Sequence, residues 1–469
     1  MYTATIGLEV HAELKTKSKM FCGCKNDPHH GEPNKNICPV CTGQPGTLPV
    51  PNQEAIKSVL MFGRAVGGNL SEYTEFDRKN YFYPDIPKAY QISQYAYPFV
   101  QGGELAGVSL TRVHLEEDTA RSQHDKGNFS LVDFNRAGVP LMELVTEPVI
   151  HTATEAGRFA RELQLLLRTL NISDANMEKG EMRVEANISV SNSGQLGVKV
   201  EVKNLNSFRS VEQAILFETN RQIKLLESNG QIEQETRGWD EQKQCTFVQR
   251  KKETAKDYRY FPDPDIPKLV LSSIDEFTVS RLDELMPELP QNKREKYSYL
   301  GLTSEQSEQL MTHTLLTIYF DSIISLDGFD ESRASLVVNY LLTDFLPLMA
   351  PETSIVTVMP GQQFYALISL IADKKITSRV AKDIITEFAN SRSFDAMSVL
   401  KERNLFNDLS DNDLENIVRL VVSVQPGPVA EYRSGKLAVL QFLVGQVMKH
   451  TKGKSNPEKV AELIRKQLS

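Results

Sequence analysis

Apolar and polar residues alternate along the first part of the chain with a period of two. Over 5–14, Ile6, Leu8, Val10, Ala12 and Leu14 fall on one side, and Gly7, Glu9, His11 and Glu13 on the other. Successive side chains of a strand point to opposite faces, so this predicts a strand with one face in a core and a polar second face. The device recurs twice. Val184, Ala186, Ile188 and Val190 alternate with Arg183, Glu185, Asn187 and Ser189, and Val198, Val200 and Val202 alternate with Lys199, Glu201 and Lys203. Between these segments the period becomes helical. The capping-box pair Thr152–Glu155 precedes Ala156, Phe159, Leu163, Leu166 and Leu170, predicting a helix near 153–170. A further helix, about 209–228, is expected to stop at Asn229-Gly230.

Past Pro287 and Pro290 the charged stretch Asn292–Lys296 reads as a linker, and helical periodicity then dominates. Phe364, Leu367, Ile368 and Ile371 fit i, i+3, i+4, i+7, as do Leu414, Ile417, Val418 and Val421. Pro426-Gly427-Pro428 breaks the last helices apart, which are expected at roughly 433–449 and 457–467. The pattern predicts an α+β protein of three units: a mixed α/β body over 1–290, an all-α helical domain over 291–405 and a small all-α tail over 406–469. One short echo is visible, since Tyr81-Phe82-Tyr83-Pro84-Asp85-Ile86-Pro87-Lys88 returns in part as Tyr260–Lys268. It predicts two stiff loops of similar build, although turn chemistry alone also produces such short runs.

Length agrees with three domains, since 469 residues at about 150 per domain gives that number. No apolar run approaches the roughly 18 residues needed to cross a bilayer, and the first residues lack a secretory or transit signal, so a cytoplasmic protein without a membrane span is expected. The formal charge of -8 argues against non-specific coating of nucleic acid but leaves room for a local basic patch. Four of the five cysteines lie between 22 and 41, which does not resemble a disulfide framework spread along a secreted chain. Cys22-Gly-Cys24 and Cys38-Pro-Val-Cys41 instead form two short-spaced pairs able to close around a tetrahedral Zn²⁺ of structural type. Four reduced structural thiols are the alternative. His29 and His30, between the pairs, read as exposed turn residues.

The polar faces of the alternating strands carry Glu9, His11, Glu13, Glu185, Asn187 and Glu201. Converging carboxylates repel one another unless a cation neutralises them, and carboxylate oxygens with one imidazole suit Mg²⁺. Solvated charged strand faces fit the pattern equally well. His114-Leu115-Glu116-Glu117-Asp118 is a further acidic cluster, in which alternation from Val113 and Leu115 puts Glu116 on the polar side and Glu117 on the apolar side. Standard nucleotide loops are missing. Gly453-Lys454-Ser455 has Met448 where a phosphate loop needs glycine, and there is no G-x-S-x-G elbow.

Arg78, Lys79 and Lys88 are interleaved with Tyr81, Phe82, Tyr83 and Tyr90, and Arg250, Lys251, Lys252, Lys256 and Arg259 with Tyr258, Tyr260 and Phe261. Such interleaving suits phosphates and bases, but it also describes a core edge ringed by solvated lysine. The C-terminus is sharper: over 432–469 eight Lys and Arg face only Glu458 and Glu462, a net +6 segment on an acidic chain and an electrostatic footprint for a polyanion such as RNA.

Long motifs then point to a known family. Ile6-Gly-Leu-Glu-Val-His11, Phe76–Asp85, Pro87–Gln94, His114–Asp118, Lys203–Phe208, Asp257–Pro262 and the tail Phe442-Leu-Val-Gly-Gln446 resemble the B subunits of the bacterial aspartyl/glutamyl-tRNA amidotransferases, over essentially the whole chain. The resemblance implies a cradle-shaped α/β domain, a helical domain and a tail domain that contacts the tRNA. It implies an ATP- and Mg²⁺-dependent ligase that phosphorylates the side-chain carboxyl of Glu-tRNA(Gln) or Asp-tRNA(Asn). Ammonia from the glutaminase A subunit then displaces phosphate, within a heterotrimer that includes a C subunit. Carried over by position, the Mg²⁺ ligands are Glu9, His11, Glu117, Glu185 and Glu201, with an irregular strand expected at Glu117. Position 185 departs from the Asp of other members, and the longer Glu puts that ligand's placement in question. The rival readings are a non-catalytic zinc and RNA-binding scaffold and a stand-alone metal-dependent hydrolase.

Overall fold

A computed structural model of the chain describes residues 2–123, 127–251, 257–348, 359–391, 394–407, 410–451, 453 and 455–468. It divides into two compact units, Met1–Pro290 and Gln291–Ser469. Among the described residues no helix is long and apolar enough to cross a membrane.

The first unit is built on a ten-stranded mixed sheet. Its strands are β1 (Thr3–Glu13), β2 (Asn69–Leu70), β3 (Val100–Gln101), β4 (Glu104–Leu105), β5 (Val108–Glu117), β6 (Pro140–Thr146), β7 (Met182–Ser191), β8 (Val200–Leu205), β9 (Glu235–Asp240) and β10 (Cys245–Lys251). They lie in the order β10-β9-β8-β7-β1-β6-β5-β3-β2, with β4 paired to β5. Among these described strands only β8 and β9 pair in parallel. The alternating segments thus occupy the middle of one sheet.

Three helices cover the apolar face: α1 (Gln53–Ala65), α2 (Ala153–Thr169) and α3 (Phe208–Glu227). Ile6, Leu8 and Val10 of β1, Val184, Ala186 and Ile188 of β7, Phe159 and Leu163 of α2 and Val211 of α3 share one buried core. The expected capping box is present, since the Thr152 hydroxyl accepts from the Glu155 N–H while the Glu155 carboxylate accepts from the Thr152 N–H. Helix α3 ends just before Asn229, whose φ of 58° takes the chain through the left-handed region that Asn tolerates. The strand expected from Val198 begins at Val200; Val198 itself is exposed.

In the second unit, the stretch read as a linker is helical, over Pro290–Tyr299. Its charges are partnered: Arg294 pairs with Glu308, and Lys293 and Lys296 pair with Asp321. Pro426 opens a helix, Pro426–Arg433, as its fixed φ favours at a first helical position. Helices Asp411–Val424, Val439–His450 and Pro457–Leu468 bury a core of their own, including Leu414, Val418, Leu443, Val447, Val460 and Ile464.

Candidate active site

The polar face of the sheet is where the alternating carboxylates converge. Pairing places Arg183 of β7, His11 of β1, Glu143 of β6 and His114 of β5 opposite one another in a single row. Glu143 Oε2 lies 3.4 Å from His11 Nε2 and 3.4 Å from His114 Nε2. Glu116 and Glu9 complete the surroundings of His11, with their Oε1 atoms 3.8 and 3.9 Å from its Nε2. In the next row Glu9 faces Glu185. Lys203 donates to Glu185 Oε2 at 2.7 Å and lies 3.5 Å from Glu201 Oε1, so it ties those two carboxylates together. The Thr236 hydroxyl donates to Glu201 Oε2 at 2.7 Å.

Electrostatics in this cluster are strained by burial and relieved by pairing. Burial disfavours the His11 imidazolium, yet Glu143, Glu116 and Glu9 overcome it and hold its pKa up at about 9. Burial likewise works against an ionised Glu143, but His114 and His11 bring it well below the usual carboxylate range. Glu9 is pushed up, by burial and by Glu143, against the pull of His11 and Lys203. Three buried atoms, His11 Nδ1, His114 Nδ1 and Glu116 Oε2, make no hydrogen bond. Two ligand-type groups share Glu143, namely Glu9–His11–Glu143 and His114–Glu116–Glu143, each with ligand atoms within 4.8 Å of one another. Hard carboxylate oxygens with one imidazole are a donor set that a divalent cation such as Mg²⁺ or Mn²⁺ accepts.

The raised pKa of His11 has a consequence for stability. Its folded value of about 9 exceeds the ordinary 6.5, so the contribution is complete below pH 6.5 and is lost as pH rises through 9. In metal-free protein, the stability lost on His11→Asn should therefore shrink between pH 6 and pH 9.5, by about 3 kcal/mol at most. Urea unfolding of both proteins at the two pH values measures it, and a pH-independent difference would refute the ion-pair assignment.

Of the residues expected on sequence grounds, Glu9, His11, Glu185 and Glu201 share this face. Glu117 is placed apart. Register is continuous from Arg112 to Glu117, and the irregularity of β5 falls at Leu110–Arg112 instead. Glu117 therefore keeps the parity of Val113 and Leu115, its Oε1 accepts from the Ile92 N–H at 2.9 Å, and it pairs with Lys88. Glu143 is absent from the sequence reading, which named His114 and Glu116 only as members of the acidic run 114–118. The only signal for Glu143 was a lone carboxylate inside the apolar run Val139–Val145. His29 also departs from expectation: it is largely buried, its Nε2 3.2 Å from Glu13 Oε2 and its Nδ1 3.3 Å from an Arg121 guanidinium nitrogen.

The cysteines converge as their spacing predicts. Cys22 and Cys24 ride on a turn closed by the Ser18–Lys25 bridge and by the Lys19 N–H to Cys24 carbonyl bond of 3.0 Å. Cys38 and Cys41 flank a turn in which the Thr42 and Gly43 N–H groups donate to the Cys38 and Val40 carbonyls. The four Sγ atoms lie within 4.8 Å of one another, and those of Cys38 and Cys41 are 3.9 Å apart. Four sulfurs about 2.3 Å from a tetrahedral Zn²⁺ stand about 3.8 Å from each other, so the set fits zinc with little movement.

The two echoed loops lie side by side. Phe261 and Pro262 pair with Arg78 and Asp77, and Tyr81 meets Tyr258 with ring centroids 5.8 Å apart. The cations of the first aromatic segment have carboxylate partners: Arg78 binds Asp263 and Asp265, Lys88 pairs with Glu117, and Lys79 lies 3.6 Å from Glu116 on the edge of the acidic face. Burial opposes the Lys79 ammonium, but Glu116 and Glu143 hold its pKa well above the usual range. Phe82 is 83% exposed. Lys252, Lys256, Lys452 and Lys454 lie outside the described residues. In the second unit, Arg379, Lys382, Arg403 and Lys449 line one cleft of about 1110 Å³.

Comparison with known proteins gives matches in both units. Residues 4–275 match the model of the GatB/GatE catalytic domain, and residues 319–468 match that of the GatB domain. The chain is 40% identical over 484 residues to the B subunit of the aspartyl/glutamyl-tRNA(Asn/Gln) amidotransferase of Caldicellulosiruptor saccharolyticus, covering 100% of this chain and 99% of that one. It is 41% identical over 480 residues to the corresponding protein of Thermodesulfovibrio yellowstonii and 42% over 484 to that of Herpetosiphon aurantiacus, with the same coverage in both cases. The catalytic-domain match contains the whole acidic face and the cysteine cluster, and the full-length identity leaves no large segment outside the alignment, so the chain belongs to the GatB family, the B subunits of glutamine-dependent tRNA amidotransferases.

Proposed function

We propose that the chain uses ATP to phosphorylate the side-chain carboxyl of Glu-tRNA(Gln), Asp-tRNA(Asn) or both, and then amidates it with ammonia. The ammonia comes from a glutaminase A subunit, in a cytoplasmic heterotrimer with A and C subunits. The observation that carries this reading is the buried row His11–Glu143–His114 with Glu9 and Glu116 beside it, in the domain that matches the family's catalytic model.

A carboxylate is a poor acylating agent. Its oxygen attacks the terminal phosphorus of ATP, ADP leaves, and the acyl phosphate so formed carries a good leaving group. Ammonia then attacks the acyl carbon, phosphate departs and a proton is lost, giving the amide. A divalent cation bound on the polar face supplies charge neutralisation for the phosphoryl group in transit. In this proposal Glu9 and His11 hold it, with Glu143 and Glu116 the nearest further carboxylates. Glu185 and Glu201, on neighbouring strands, are tied together by Lys203. Glu117, on the other face of β5 and held by Lys88 and the Ile92 N–H, is left out of this set. Lys79 and Lys203 keep positive charge at the edges of an acidic face that two anionic substrates must approach. Cys22, Cys24, Cys38 and Cys41 would hold a structural Zn²⁺, since four thiolates leave no open position for a substrate.

The test is transfer of label from γ-labelled ATP to purified Glu-tRNA(Gln), with A and C subunits present and glutamine withheld. Label should accumulate on the aminoacyl-tRNA and be discharged by added ammonia as Gln-tRNA(Gln) forms. Binding of tRNA with no ATP turnover would favour the scaffold reading instead. For the tail, removal of 410–469 is expected to weaken tRNA binding at least tenfold and leave assembly with the A subunit intact, because it removes the eight Lys and Arg of 432–469. Unchanged tRNA affinity in a filter-binding assay would contradict this.

A further inference from the structure

Lys19 is the most deeply buried cation among the described residues of the first unit. Its side chain is fully shielded from solvent, at 0% exposure. Its ammonium meets two acceptors, the Phe134 carbonyl at 3.2 Å and Cys41 Sγ at 3.7 Å. Neither is a carboxylate. A buried ammonium needs an opposite charge, and a neutral thiol is a weak acceptor that supplies none. Cys41 Sγ accepts a second donor as well, the Cys38 N–H at 3.2 Å, so two N–H donors converge on one sulfur. Two donors aimed at one sulfur favour its thiolate, the form in which a cysteine binds a metal.

Four thiolates around one divalent cation carry a net charge of two minus. We propose that Lys19 is the built-in counter-charge of the Cys22–Cys24–Cys38–Cys41 centre, so that the ammonium and the metal–thiolate cluster stabilise each other inside the fold. The inference rests on the zinc reading of the cluster and goes beyond it by naming the residue that offsets the cluster's charge on its buried side, at Cys41. The backbone holds the pair in place. The Met20 N–H donates to the Gly138 carbonyl at 2.7 Å, and Gly138, at φ 84°, brings the chain so close that a Cβ there would stand 3.4 Å from Cys41 Cβ and 3.6 Å from Lys19 Cδ.

The two-way dependence gives a signature that a merely space-filling lysine would not. Lys19→Met keeps the length of the side chain and removes the charge. In the full-length protein it should lower zinc affinity by 10- to 100-fold, the usual size of an outer-shell effect, read by competition with a chelator of known affinity. Zinc should correspondingly raise the urea midpoint of wild type by more than that of the variant, because only wild type gains the attraction between the ammonium and the metal–thiolate cluster. Lys19→Gln serves as a second variant should Lys19→Met not fold. Cobalt substitution separates the outcomes. Wild type lacking thiolate-to-cobalt charge-transfer bands would overturn both the metal reading and the proposal. Wild type showing those bands, with Lys19→Met and Lys19→Gln binding zinc as tightly as wild type, would overturn the Lys19 proposal alone.

Discussion

Glu143→Gln is expected to reduce ATP-dependent amidation of Glu-tRNA(Gln) by roughly 100-fold, whereas Glu117→Gln should cost much less. Glu143 is the common member of both ligand-type groups and lies 3.4 Å from each of two imidazoles. Removing its charge takes away the largest carboxylate influence on His11 and leaves His114 without its ion-pair partner. Glu117 is one residue from Glu116 in sequence but has opposite parity on β5, and its carboxylate is engaged by Lys88 and the Ile92 N–H. Side-by-side amidation assays of the two variants decide between the geometric ligand set and the one carried over from family resemblance. Equal and large losses would restore Glu117 to the site. A large loss for Glu117→Gln alone would remove Glu143 from it.

The second large effect concerns stability. Asp118, at the end of the acidic cluster, binds Arg183 at 2.9 Å and has Arg136 at 3.7 Å. Burial works against its ionised form, but Arg183 and Arg136 prevail and bring its pKa down to about 2. Asp118→Asn keeps the shape and removes the charge, so it should destabilise the protein by about 2–3 kcal/mol at neutral pH. A folded pKa below the ordinary 3.8 means that the contribution is present above that value and disappears as pH falls toward 2. Urea unfolding of wild type and variant should therefore differ at pH 7 and converge in acid. A constant difference across that range would show that packing, not charge, is responsible.

Much of this was legible in the alternation of β1, β7 and β8, because each strand has helices on one face and the polar cluster on the other. Glu9, His11, Glu185 and Glu201 could be selected from period two alone. Glu143 could not. Its strand runs between β1 and β5 with Leu141 buried on the same side, so β6 reads as continuously apolar and its one carboxylate carries no periodic signal. Lys19 was hidden differently, as the last of Lys15, Lys17 and Lys19, a spacing that suggests a solvated strand edge. The supposed linker at 292–296 shows the converse error. Charge density suggested exposure, whereas Glu308 and Asp321, distant in sequence, give those lysines and the arginine partners on neighbouring helices. His29 was likewise read from its turn-rich neighbourhood, and tertiary contact with Glu13 placed it largely out of solvent. In each case the decisive partner lies on another element, outside the short window that periodicity reads.

On the proposed function, the polar face of this sheet carries phosphoryl transfer to the aminoacyl side chain with the help of a divalent cation. Single-turnover transfer of label from γ-labelled ATP to Glu-tRNA(Gln), measured across a Mg²⁺ titration for wild type, His11→Ala and Glu201→Gln, tests it most directly. Wild type is expected to show cation-dependent transfer, and both variants losses of roughly 100-fold with tRNA affinity unchanged. Equal transfer by all three proteins at every Mg²⁺ concentration would contradict it.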